Sequence, residues 1–170
     1  MISNRATRLS RTAALIAGLA ILATALGGCE PILKTVDKAR MKLFGIRVTD
    51  PEPESAEWVL LQVLQAALEK DEEVGWERFQ KVLHSSERTT QGLQNWHEMG
   101  WKRIRKQADD YLDDDGSFKI VDFKDIMSST EEVVGLEFYV ESVKKEMPTP
   151  CAVYIDEEAA GHWRVRRCSF

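Results

Sequence analysis

Tyr111-Leu112-Asp113-Asp114-Asp115-Gly116-Ser117-Phe118-Lys119-Ile120-Val121 is where the chain changes its period. Upstream, apolar residues recur at steps of three and four, the spacing of one helical face. Downstream they alternate with polar residues, or gather in β-branched and aromatic runs, the pattern of strands. Between the two, aspartates beside a glycine make a turn, because Asp bonds its own backbone and Gly accepts positive φ. A helical half followed by a strand half gives the class α+β, with the helices on one face of an antiparallel sheet.

Three helices are expected upstream. The first covers 55–70, with Ser55 as N-cap and Ala56, Val59, Leu60, Val63, Leu64, Ala67 and Leu68 on the buried face. The second covers 73–84, with Val74, Phe79, Val82 and Leu83 as its stripe and Ser85-Ser86 as its stop. The third covers 90–112, where Leu93, Trp96, Gly100, Ile104, Ala108 and Tyr111 recur at steps of three and four. About four strands follow, over 118–127, 134–140, 151–155 and 163–170, the last two closing a hairpin around 157–161.

Further upstream the chain changes character. Arg5, Arg8 and Arg11 form a basic start, residues 13–26 an apolar run, and Leu26-Gly27-Gly28-Cys29 its end. That order is a secretory signal over 1–28. The apolar run falls short of the ~20 residues that a membrane span needs. Leu26, Gly27, Gly28 and Cys29 resemble the lipobox of bacterial lipoproteins. The resemblance implies cleavage before Cys29, a diacylglycerol on its thiol and an acyl chain on its amine, which together hold the chain on a lipid bilayer. Residue 30 is Glu rather than Asp, so in a source with two membranes the family's sorting places the chain on the outer one. An uncleaved signal anchor, or an ordinary signal peptide with a chance cysteine, is the competing reading of 1–28. Residues 29–53 read as a tether that ends in Asp50-Pro51-Glu52-Pro53-Glu54, stiffened by its prolines. Its mixed apolar and basic residues fit a partly ordered linker better than a membrane-lying helix, because their spacing is irregular. One domain then occupies 54–170.

Within that domain, Ala66-Ala67-Leu68-Glu69-Lys70-Asp71 runs directly into Trp76-Glu77-Arg78-Phe79-Gln80-Lys81-Val82-Leu83, and Gly161-His162-Trp163-Arg164-Val165 closes the chain. These segments resemble the nuclear transport factor 2-like superfamily, above all its small lipoprotein and export-linked branches. The resemblance implies a curved sheet wrapped on a helix to make a cone. The superfamily hosts isomerases, dehydratases and binding modules, so the fold alone selects no activity.

Composition excludes one partner class. The net charge is −5, and Arg5, Arg8 and Arg11 precede Cys29, so the remainder is more acidic still. An acidic domain lacks the basic footprint that nucleic acid requires. No cofactor motif is present: there is no phosphate loop, nucleophile elbow or paired zinc-binding histidine motif. Counting back from Gly116 puts Tyr111 where a calcium loop needs its first carboxylate, so Asp113, Asp114 and Asp115 read as a solvated turn. Cys151 and Cys168 lack the ligand spacing of zinc. In an exported chain they suit a disulfide across the last hairpin. Cys151 shares parity with Val153 and Ile155, whereas Cys168 is out of phase with Trp163 and Val165, so a bridge requires a β-bulge or a bend.

The candidate pocket comprises Trp96, His97, Trp101, Tyr111 and Asp122. His97 or Asp122 could act as a general base there, with Tyr111 or Tyr139 beside it, in an isomerase or hydro-lyase. His97 flanks the apolar stripe rather than centring on it, which favours a structural or solvent-facing histidine. His84 reads as a partner of a helix dipole and His162 as a turn residue. The clusters Lys102-Arg103-Ile104-Arg105-Lys106 and Arg164-Val165-Arg166-Arg167 could contact anionic lipid or envelope glycan, but read better as solvated faces balancing nearby acids. The preferred reading is therefore a non-enzymatic lipoprotein that binds an envelope protein or a small apolar ligand. The pocket enzyme, and a scaffold whose core is filled, are its alternatives.

Overall fold

In the computed structural model, which describes residues 44–170, Ser55 opens the first helix, its hydroxyl accepting from the Trp58 N–H at 3.1 Å. That helix, α1 (Ala56–Leu68), is buried on nearly every side. A helix apolar all round belongs in the interior, and α1 is the central rod of the domain. Asp71 caps α2 (Glu72–Val82), its carboxylate accepting from the Glu73 and Val74 N–H groups at 3.0 and 3.2 Å. Phe79 and Val82 turn inward from α2, while Val74, expected on that stripe, is 39% exposed. Leu68 is likewise exposed at the end of α1.

The third helix differs from its expected form. It is α-helical over Thr90–Asn95, widens into a π-turn over Trp96–Trp101, returns to α over Lys102–Gln107 and tightens into a 3-10 turn at Ala108–Asp110. Together these make one helical run over 90–110, here α3. A π-turn takes one more residue per turn than an α-turn. The buried series accordingly steps from Trp96 by five to Trp101, then to Ile104 and Ala108. Gly100, expected in that series, is displaced from it.

Five strands form one antiparallel sheet in chain order: β1 (Ile46–Val48), β2 (Phe118–Met127), β3 (Val133–Val140), β4 (Thr149–Asp156) and β5 (His162–Cys168). This is one strand more than expected. The extra strand lies in the segment read as tether: Ile46 pairs with Ile120, and Val48 with Phe118. Val48 and Pro51 are buried, so the domain begins at or before Ile46 rather than at Glu54. β-branched Ile46 and Val48 on either side of Arg47 suit an edge strand, and the prolines beyond them had drawn the reading toward a linker. The signal over 1–28, the lipobox with Cys29 and the tether up to residue 43 lie outside the described residues. Among the described residues no helix is long and apolar enough to cross a membrane.

The helices and the inner face of the sheet share one core, in which Phe79, Trp101, Ile104, Phe118, Ile120, Phe138 and Phe170 are fully buried. Cys151 and Cys168 are joined by a disulfide, with their Cα atoms 4.1 Å apart. The parity conflict is resolved by a bulge. Ala152 pairs with Arg167 and Val153 with Val165, which leaves Arg166 as the extra residue of β5. The bulge turns Cys168 onto the same buried face as Trp163 and Val165.

Candidate functional site

The residues read as a pocket do not converge on one. Trp101 is fully buried, and its ring lies 5.0 Å from Phe79 and 5.7 Å from Trp76. Tyr111 is buried against Phe170 at 4.6 Å between ring centres, and its hydroxyl shares a hydrogen bond with Thr149 Oγ1 at 2.7 Å. Lys145 Nζ donates to the same hydroxyl at 2.7 Å. These groups fill the interior, which a ligand would otherwise occupy. His97 sits at the rim of the aromatic cluster, edge-on to Trp76 at 4.9 Å. Asp122 stands on β2 and accepts from the Phe123 N–H at 2.9 Å. These contacts do not join the two, so the acid–base pair that an isomerase needs is not assembled by them. Tyr139 is likewise engaged elsewhere, donating to Glu137 and accepting from Lys124, both at 2.8 Å. That hydroxyl, ahead of Arg167, holds the Glu137 carboxyl below its ordinary value and raises the Lys124 ammonium.

The remaining histidines lie elsewhere on the domain. His84 Nδ1 accepts from the Ser86 N–H at 3.1 Å, and its backbone N–H bonds Val165 O at 2.8 Å. His162 stands near Glu54, whose carboxylate accepts from Arg164 at 2.7 Å. The acids around Gly116 also have partners. Arg47 bridges Asp113 and Asp115, and the Ser117 hydroxyl and N–H both donate to Asp115, which lowers the pKa of that carboxyl. Among the described residues no cluster has the makings of a metal site.

What the structure does build is a groove between α3 and β5. The π-turn turns Trp96, Met99, Gly100 and Arg103 toward the end of β5, where Arg166, Arg167, Cys168 and Ser169 form the opposite wall. Residues 96, 99, 100 and 103 share one helical face by their spacing. The groove has a volume of about 380 Å³ and is open to solvent, and Glu87 and Asn95 also line it. Met99 is 69% exposed, and the Trp96 ring packs on Phe79 at 5.3 Å while its outer part borders the groove. Glu87 is held by Trp96 Nε1 and by Arg166 Nε, both at 3.4 Å. Arg103 spans the groove to donate to the Cys168 carbonyl at 2.8 Å.

Chemically this arrangement supplies guanidinium donors, an indole and a thioether. Its one hydroxyl, on Ser169, has no histidine among the lining residues, and its one carboxylate is already paired. Trp, Met and Arg are the types that concentrate at protein interfaces. Trp96 was among the sequence candidates, whereas Met99 was read only as flanking the apolar stripe, and Arg103, Arg166 and Arg167 as solvated faces. No local spacing marks these residues as one surface, because tertiary packing alone brings α3 beside β5. Comparison of the chain with family models, with curated proteins and with solved structures finds no significant match.

Proposed function

We propose that this chain is a membrane-anchored envelope lipoprotein whose domain is a non-enzymatic interaction module, docking a partner protein in the groove between α3 and β5. One observation carries the docking: Trp96, Met99 and Arg103 are presented together on an open groove while the interior behind them is filled. A small apolar ligand fits this less well, because such ligands are enclosed over most of their surface, and the groove is open. The anchor rests on Leu26-Gly27-Gly28-Cys29 and the basic and apolar segments before it. Glu30 after the cysteine places the chain on the outer membrane of a two-membrane source. Three helices followed by the four strands β2 to β5, with Trp163 in the core, support the likeness to the nuclear transport factor 2-like superfamily, as a cone whose cavity is closed by its own aromatics.

The experiment is photo-crosslinking in the source cells, with a benzophenone side chain at position 99 and, as control, at position 74 on α2. A protein adduct from position 99 and none from position 74 is expected. Absence of a protein adduct from position 99 contradicts the reading.

A further inference from the structure

We infer that the partner presents an acidic segment carrying an apolar side chain, and that the groove reads it through side chains rather than by strand addition. This rests on the interaction-module reading and specifies its ligand. β5 is an edge strand, and edge strands commonly recruit another strand. Here two carbonyls along that edge are already taken. Val165 O accepts from the His84 N–H at 2.8 Å, and Cys168 O accepts from Arg103 at 2.8 Å. The bulge at Arg166 also interrupts the even ladder that an added strand would follow.

Charge selects the occupant. The groove is lined by Arg103, Arg166 and Arg167 against a single carboxylate, Glu87. Glu87 faces Arg166 at 3.4 Å, and Glu137 on β3 pairs with Arg167 at 2.6 Å. Among the described residues Arg103 has no carboxylate partner; its bond goes to a backbone carbonyl. The groove is thus locally cationic on a chain whose net charge is −5. An approaching acid is repelled by most of the domain and accepted here, which confines binding to one place. The exposed Met99 thioether beside the Trp96 ring then offers an apolar seat for a side chain next to that acid. A carboxylate reaching Arg103 would form a charge-assisted pair, the strongest class of hydrogen bond the groove can make.

The test extends the crosslinking at position 99 of the full-length protein in cells, adding Arg103→Glu and Arg103→Gln and mapping the attached peptide by mass spectrometry. Arg103→Gln retains a donor for the Cys168 carbonyl while removing the charge, so it separates recognition from folding. The expected result is an adduct whose attached peptide carries carboxylates. Its yield should fall about tenfold in both variants, as loss of a charge-assisted pair implies. A protein adduct that keeps its yield in both variants, or an attached peptide without acids, overturns the inference and leaves the interaction module standing. An adduct to lipid in place of protein overturns both, and so does the absence of any adduct.

Discussion

The ring of Trp96 lies against Gly100 so closely that a Cβ at position 100 would stand 2.5 Å from the Trp96 Cε3 atom. No side chain fits there without moving the indole. Gly100→Ala should therefore push Trp96 off its seat on Phe79 and away from Glu87, reshaping the groove while leaving the sheet intact. Overpacking of this kind costs about 1–3 kcal/mol. Chemical denaturation should show that loss, and Trp fluorescence should show the indole in a wetter site. An unchanged spectrum and midpoint would mean that the indole has room the structure does not give it.

Arg166 is the extra residue of the bulge, and the Cys151–Cys168 bridge lies immediately beside it. The bridged cysteines are 17 residues apart in sequence, and closing a loop of that size stabilises by about 3 kcal/mol in the chain-entropy treatment. The pair Cys151→Ser and Cys168→Ser, made together, should lower unfolding free energy by that order and abolish the sensitivity of the wild-type midpoint to reductant. Both sulfurs are buried, so polar replacements add to the cost. A wild-type midpoint indifferent to strong reductant would argue against the bridge as a stabiliser.

Asp156 ties the last hairpin to the turn that follows α2. Its two carboxylate oxygens accept from the Ser85 N–H and hydroxyl, each at 2.8 Å, across 71 positions of sequence. Burial pushes this carboxyl up, but the Ser85 donors, together with His84 and the Glu158 N–H, hold it below its ordinary value. The sign follows: with a folded value below the unfolded one, the stabilisation is complete above about pH 4 and is lost as pH falls through the lower folded value. Asp156→Asn should cost about 1–3 kcal/mol at neutral pH. It should also flatten the acid limb of the stability profile, measured by denaturation between pH 2 and 7 (a range on the order of the carboxylate titration). An acid limb unchanged in the variant would assign that loss to other carboxylates.

The helices, the turn at Gly116 and four of the strands were legible, because each rests on a local pattern: a cap such as Ser55, an alternation such as that over 134–140, or an acid–glycine turn. Three features were not. β1 is a short strand whose signal was outweighed by Pro51 and Pro53. The shift from Gly100 to Trp101 as the buried residue depends on a π-turn, and assuming a constant helical period hides it. The groove arises from two segments 60 to 70 positions apart that only tertiary packing brings together, as the Arg103 bond to Cys168 at a separation of 65 illustrates. Tyr111 was expected on the buried stripe, but an aromatic at helical spacing reads the same whether it walls a cavity or fills one.

Trp101 distinguishes those two cases. It is fully buried among Phe79, Trp76 and Ile104, and its Nε1 has no hydrogen-bond partner. Trp101→Ala should cost about 3–5 kcal/mol, as expected for a filled interior. Trp101→Phe should cost much less, because it gives up no hydrogen bond. Urea denaturation of both variants checks this. An alanine variant as stable as wild type would mean that Trp101 lines open space, and would revive the pocket readings.

The envelope placement proposed for the chain rests on Cys29. The most direct measurement is intact mass together with membrane fractionation of the native protein beside Cys29→Ser. The expected result is a wild-type chain that begins at Cys29, carries three acyl chains and sediments with membranes, and a variant that is soluble or uncleaved. If both fractionate alike with residues 1–28 still attached, the lipoprotein assignment is contradicted and the segment before Cys29 is a signal anchor.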